Sequence, residues 1–107
     1  MTRELLPNRR YSESFDINHD GLEYSVQLGF YPDGRVGEVF VGSRKIGSLA
    51  EISARDAAVL LSISLQHGVD PKKTLKSLTH DEEGRPEGIT GVILERIIEI
   101  NKANADA

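Results

Sequence analysis

From Tyr11 onward the apolar positions alternate. Tyr11, Phe15 and Ile17 fall on the same side as Glu13, a period of two that predicts a strand with one covered face. Asn18-His19-Asp20-Gly21 interrupts it with residues that tolerate positive φ and so favour a tight turn. Leu22, Tyr24, Val26, Leu28 and Phe30 then alternate with Glu23, Ser25, Gln27 and Gly29, the clearest strand in the chain. Tyr31-Pro32-Asp33-Gly34 is a second turn, its Pro preset for the first corner and its Gly able to close it. In the run from Val36 to Val41, strict alternation puts Val39 and Val41 on one side and Val36, Glu38 and Phe40 on the other. This third strand is expected either to be covered on both faces or to hold Phe40 against a partner. Two short connections joining three strands imply an antiparallel meander.

The period then lengthens. Ser53 followed by Asp56 fits a capping pair at a helix start. Beyond it Ala57, Ala58, Val59, Leu60, Leu61, Ile63 and Leu65 leave almost no polar face, which predicts a helix buried on most sides. Gly68 is placed to end it in a left-handed cap, and Asp70-Pro71 restarts a short helix that ends near Leu78. The segment from His80 to Gly88 reads as a loop. Ile89, Val92, Ile93, Arg96, Ile97 and Ile100 predict a last amphipathic helix before a polar tail, Asn101 to Ala107. Met1 to Asn8 has no periodicity and reads as an N-terminal arm. The fold class is α+β, a three- to four-stranded antiparallel meander packed against two or three C-terminal helices, in a single domain over residues 1–107.

Composition narrows the function classes. The chain of 107 residues is 38% hydrophobic and 28% charged, which is globular and not disordered. A formal net charge of −4 speaks against a duplex DNA or membrane-surface partner, since both need a basic face. There is no cysteine, so disulfides, thiolate nucleophiles and Cys-based metal sites are excluded and a reducing cytoplasm is the expected location. No secretory signal is expected in Met1 to Arg10. The longest nearly apolar run, Ala57 to Leu65, is far too short to span a bilayer.

Candidate chemistry is sparse. Gly37 to Ser48, GEVFVGSRKIGS, has two glycines at phosphate-loop spacing, but Ser48 stands where the loop's lysine belongs. Two readings remain: a turn after the third strand, or a looser anion nest from Gly42, Ser43, Gly47 and Ser48 beneath Arg44 and Lys45. Arg9-Arg10 could grip a phosphate or carboxylate through the guanidinium fork, or simply solubilise. His19, His67 and His80 are widely spaced beside turns and helix ends, with no metal-ligand spacing. Asp81-Glu82-Glu83 lacks the alternation of a calcium loop. No nucleophile–base grouping stands out.

The order of segments resembles a known family. Leu6-Pro7-Asn8-Arg9-Arg10, then Leu28 to Val41 (LGFYPDGRVGEVFV), Lys45-Ile46-Gly47-Ser48, Ser64 to Pro71 (SLQHGVDP) and Arg85 to Thr90 (RPEGIT) are similar to the region that follows the catalytic barrel in adenosylcobalamin-dependent ribonucleotide reductases, a module often called a TSCPD domain. The resemblance implies a shared fold and ancestry. It also implies a departure, because those reductases work through cysteines and a barrel that this chain lacks. Two functions follow as expectations. The first is a non-catalytic, stand-alone relative of the accessory domain, acting through a protein partner or as a homo-oligomer. The second is a module that binds a nucleotide or other phosphate through Arg9, Arg10, Arg44 and Lys45. Neither calls for a cofactor or a metal.

Overall fold

The computed structural model describes residues 2–107. Strands β1 (Ser12–His19), β2 (Leu22–Phe30) and β3 (Val36–Ser43) precede helices α1 (Leu49–Gln66), α2 (Pro71–Ser77) and α3 (Ile89–Ala105). The strands form one antiparallel sheet in the order β1-β2-β3, so the α+β class and the meander hold. Asp20 and Gly21, at φ 51° and 74°, make the two-residue β1–β2 connection, as a primed hairpin turn requires.

One irregularity changes which side chains are buried. The β2–β3 register pairs Gly29 with Glu38 but Phe30 with Val36, so Gly37 is an extra residue on β3. A bulge of this kind shifts the side-chain phase by one position. Val36 therefore joins Val39 and Val41 in the core, contrary to the strict alternation expected from the sequence, and the opposite face keeps only Glu38 and Phe40. No Cβ fits at Gly37: one would lie 2.6 Å from Cε2 of Tyr31 and 2.8 Å from Cδ2 of Leu6.

The inner face of the sheet (Tyr24, Val26, Leu28, Phe30, Val36, Val39, Val41) meets Ala54, Ala58, Leu61 and Leu65 of α1 and Ile93, Leu94 and Ile97 of α3 in one core. α3 is fixed over the sheet by three polar contacts. Arg96 stacks on Phe15 at 4.8 Å, Asn101 Oδ1 accepts the Val36 amide at 2.9 Å, and Asn104 Nδ2 donates to Gly34 O at 2.8 Å. The segment expected as a polar tail is therefore helical through Ala105: its asparagines bind backbone in and beside the β2–β3 turn, which gives the last turns of α3 a role beyond propensity.

α1 departs from expectation twice. It begins at Leu49 with Ser48 as N-cap, not at Ser53, and it is buried along a single stripe. Val59, Leu60 and Ile63, expected inside, face solvent. α2 starts and ends as its Asp70 cap and Pro71 predict, and Gly68 takes φ 81° after α1.

Gly91 opens a prediction of unusual sign. Alanine in a helix normally gains about 0.5–1 kcal/mol over glycine. Here an added Cβ would lie 2.5 Å from Cβ of Pro86, a buried, rigid ring, and overpacking costs about 1–3 kcal/mol. Gly91→Ala is expected to lower the urea midpoint; a raised midpoint would show that the Pro86 loop moves freely.

Candidate functional site

The loop that looked like an anion nest is already filled by the chain itself. Ser48 Oγ accepts the Glu51 amide at 3.2 Å, and Glu51 Oε1 accepts the Gly47 amide at 3.0 Å. This is a variant of the capping box, Ser48-x-x-Glu51, with the return bond made to the amide of the residue before the cap. The Glu51 carboxylate, 3% exposed, also takes Arg55 Nε at 2.5 Å. A carboxylate thus occupies the place where a bound anion would meet the amides. Arg44 and Lys45 project from the preceding turn as exposed cations.

Arg9 and Arg10 lie elsewhere. Arg10 Nε meets Glu38 Oε1 at 2.6 Å, with Glu38 only 14% exposed, and Arg10 also donates to Pro7 O. Glu38 lies near the start of β3 and Ser43 at its end, about 17 Å of strand further on, so Arg10 meets one end of β3 and the Arg44–Lys45 turn leaves the other. The four cations therefore do not converge on one ligand. Arg9 and Arg10 instead border a cleft of about 530 Å³ whose other walls include Tyr11, Phe30, Asp33 and Asn104, the rings of Tyr11 and Phe30 lying 5.5 Å apart.

The N-terminal arm closes this end of the sheet. Tyr31 OH donates to Glu4 O at 2.6 Å, and Glu4 N donates to Gln66 O at 2.7 Å. Burial, and then the Glu4 carboxylate, pushes the Tyr31 hydroxyl above its ordinary range. Asp33 is held below the usual carboxylate range by the Arg35 amide and then by its guanidinium, which Asp33 Oδ2 meets at 2.8 Å. Because the folded value lies below the unfolded one, this stabilisation is present above about pH 4 and lost as pH falls through the folded value. Asp33→Asn keeps an acceptor for the Arg35 amide and removes the charge. It is expected to flatten the loss of melting temperature as pH falls below about 4; equal slopes would show that the charge contributes nothing.

The histidines and the acidic triplet are absorbed locally. His19 Nε2 lies 2.8 Å from Glu87 O and His80 Nδ1 2.7 Å from Leu78 O, and His67 is the C-cap residue of α1. Asp81 spends Oδ1 on the Glu83 and Arg85 amides and Oδ2 on the Arg85 guanidinium. Among the described residues no group of three or more His, Asp or Glu side chains is placed to hold a metal.

What remains is a surface that periodicity alone assigned to the core. α1 seals the edge of β3: Ser62 Oγ accepts the Val39 amide at 2.8 Å, and Gln66 Nε2 donates to Gly37 O at 2.9 Å. With the edge so covered, strand addition at this part of β3 is blocked. Beside the seal runs a groove of about 520 Å³ lined by Phe40, Val41, Arg55, Val59 and Ile63 among others. Phe40 is 55% exposed and Leu60 is 67% exposed. Leu49, Ile52, Val59, Leu60 and Ile63 all face solvent from α1 and fall within an arc of roughly 100° of the helix at 3.6 residues per turn. The sequence signal was the run Val59-Leu60-Leu61-Ile63 itself, which is too wide an apolar arc for one packed face.

No protein-family model matches the chain, and no solved structure does. Several curated proteins do, among them three vitamin B12-dependent ribonucleotide reductases. The chain is 31% identical over 77 residues, 72% of its length, to a vitamin B12-dependent ribonucleotide reductase of Agrobacterium fabrum. It is 35% identical over 78 residues to that of Rhodopirellula baltica and 33% over 67 residues to that of Bradyrhizobium diazoefficiens. The matched stretch spans only 6%, 8% and 5% of those proteins. The likeness is to one small segment of a reductase.

Proposed function

We propose that this chain, similar to a small segment of a B12-dependent reductase, works as a non-catalytic relative of it, by contact with protein. The observation that carries this reading is the exposed apolar surface of Phe40 and α1 beside the sealed β3 edge. Contiguous apolar surface of several hundred Å² on a soluble domain marks an interaction site more often than chance. The chain also lacks cysteine, so no thiol chemistry can originate in it.

The test compares two baits, the wild-type domain and Leu60→Asp, in a lysate of the native cell with quantitative mass spectrometry. At least one protein is expected to be retained by the wild type and lost at least tenfold with the variant. Identical captures on both baits would remove the reading. Leu60 is solvent-facing, so the variant keeps its fold, which circular dichroism checks.

A second reading rests on the Arg9–Tyr11 cleft, where a cation beside an aromatic ring suits a nucleotide or another phosphate. A ligand bound only by the folded state raises the melting temperature, so a panel of nucleotides and inorganic phosphate at about 1 mM decides it. A rise that Arg9→Ala abolishes supports the cleft; a flat panel excludes it.

A further inference from the structure

Resting on that reading, we infer that the partner for the α1 face is a second copy of this chain, docked with the two α1 helices antiparallel about a two-fold axis near Asp56. Three features of the surface carry this.

The first is self-complementary spacing. A two-fold at Asp56 sets Leu49 opposite Ile63 of the second copy and Ile52 opposite Leu60, so four of the five apolar side chains of the arc meet another, and Val59 falls opposite Ser53. An isologous contact requires this kind of reciprocal match. Antiparallel packing also places each helix N-terminus beside the other's C-terminus, the favourable arrangement of the two dipoles.

The second is charge. Asp56 is the only ionisable side chain within the arc, and Arg55 stands next to it in the groove wall. Arg55 commits Nε to Glu51, which leaves four N–H donors for another carboxylate. Helices packed at ~8–10 Å bring Arg55 of each copy toward Asp56 of the other. The cross-pairs offset the approach of the two carboxylates at the axis. In a single copy Asp56 interrupts the apolar arc with no cation three or four residues away on its own helix; in the pair it sits between two guanidinium groups.

The third is area. Leu49, Ile52, Val59, Leu60 and Ile63 with Phe40 alongside present six large apolar side chains, each 39–82% exposed, to serve as the centre of an interface of the ~800 Å² per partner that standard complexes use. Among the described residues, six of the ten large hydrophobic side chains that face solvent are gathered here, which sets this face apart from the rest of the surface.

Sedimentation velocity over about 1 µM to 1 mM gives the mass, and the absence of cysteine allows single-cysteine variants to give the orientation. The expected result is a species of twice the chain mass that Val59→Glu reduces at least tenfold at equal concentration, with Leu60→Asp doing the same. Asp56→Cys is expected to be joined rapidly by a short bis-maleimide, and Asp106→Cys, beyond the end of α3, not to be. A monomer throughout, a dimer indifferent to both α1 variants, or faster joining at Asp106→Cys would overturn the inference. The proposed contact function would survive the first of these outcomes if the lysate capture still depended on Leu60, so the two can fail separately.

Discussion

Leu28→Ala is expected to cost about 3–4 kcal/mol of folding stability, within the range for a leucine deleted from a closed core. Leu28 is fully buried in the central strand, paired with Glu13 on one side and Val39 on the other. The core around it draws on both α1 and α3, so no single element can shift to fill the void. A domain of this size holds roughly 5–15 kcal/mol in all, and the melting temperature should fall by about 12–20 °C at ~4–5 °C per kcal/mol. Leu60→Ala serves as the comparison. Its side chain is exposed, and an exposed truncation is expected to stay within about 0.5 kcal/mol. Similar losses at the two positions, read from urea midpoints, would contradict the placement of α1.

The second large effect belongs to Glu51. Glu51→Ala is expected to cost about 2 kcal/mol, combining a lost helix cap of about 0.5–2 kcal/mol with the loss of a charged hydrogen bond from Gly47 and of the Arg55 pair. Arg55 is 58% exposed and is not stranded by the change, which keeps the cost below that of breaking a fully buried pair. Glu51→Gln retains an acceptor for the Gly47 amide and should cost less than half as much. Ser48→Ala is expected to lose about 1 kcal/mol and Ser53→Ala close to none, because the cap is at Ser48. The reverse order for the two serines in thermal unfolding would place the helix start where periodicity first put it.

These two cases also show what was readable along the chain. The β1–β2 hairpin was legible because Asp20-Gly21 and the alternation of Leu22 to Phe30 are both local signals. The phase of Val36 was not, because it depends on a bulge at Gly37 that Tyr31 and Leu6 crowd from outside the strand. The start of α1 was missed for a related reason: Ser48-x-x-Glu51 and Ser53-x-x-Asp56 are both capping patterns, and only the first lies next to Gly47 in the left-handed region, at φ 82°. The end of α3 depends on Asn101 and Asn104 reaching backbone some 65 and 70 residues away, which no window along the sequence contains.

The candidate site was half legible. Phe40 stood out as an apolar residue on the wrong side of its strand, and it is exposed. Arg9, Arg10, Arg44 and Lys45 were picked by residue type, and the sheet carries the two pairs to separate ends. Val59, Leu60 and Ile63 were read as core because composition cannot tell a helix buried all round from one with a core stripe and a second apolar stripe. Only the position of α1 along the β3 edge, held by Ser62 and Gln66, separates the two.

Hydroxyl-radical footprinting tests the central claim most directly, by comparing side-chain oxidation in the dilute purified domain with that in its native lysate. Protection of at least threefold is expected at Phe40, Val59, Leu60 and Ile63, with Leu5, Tyr11 and Val69, which are exposed elsewhere, unchanged. Protection confined to Tyr11 and its neighbours in the Arg9 cleft, or no protection at any of these positions, would contradict it.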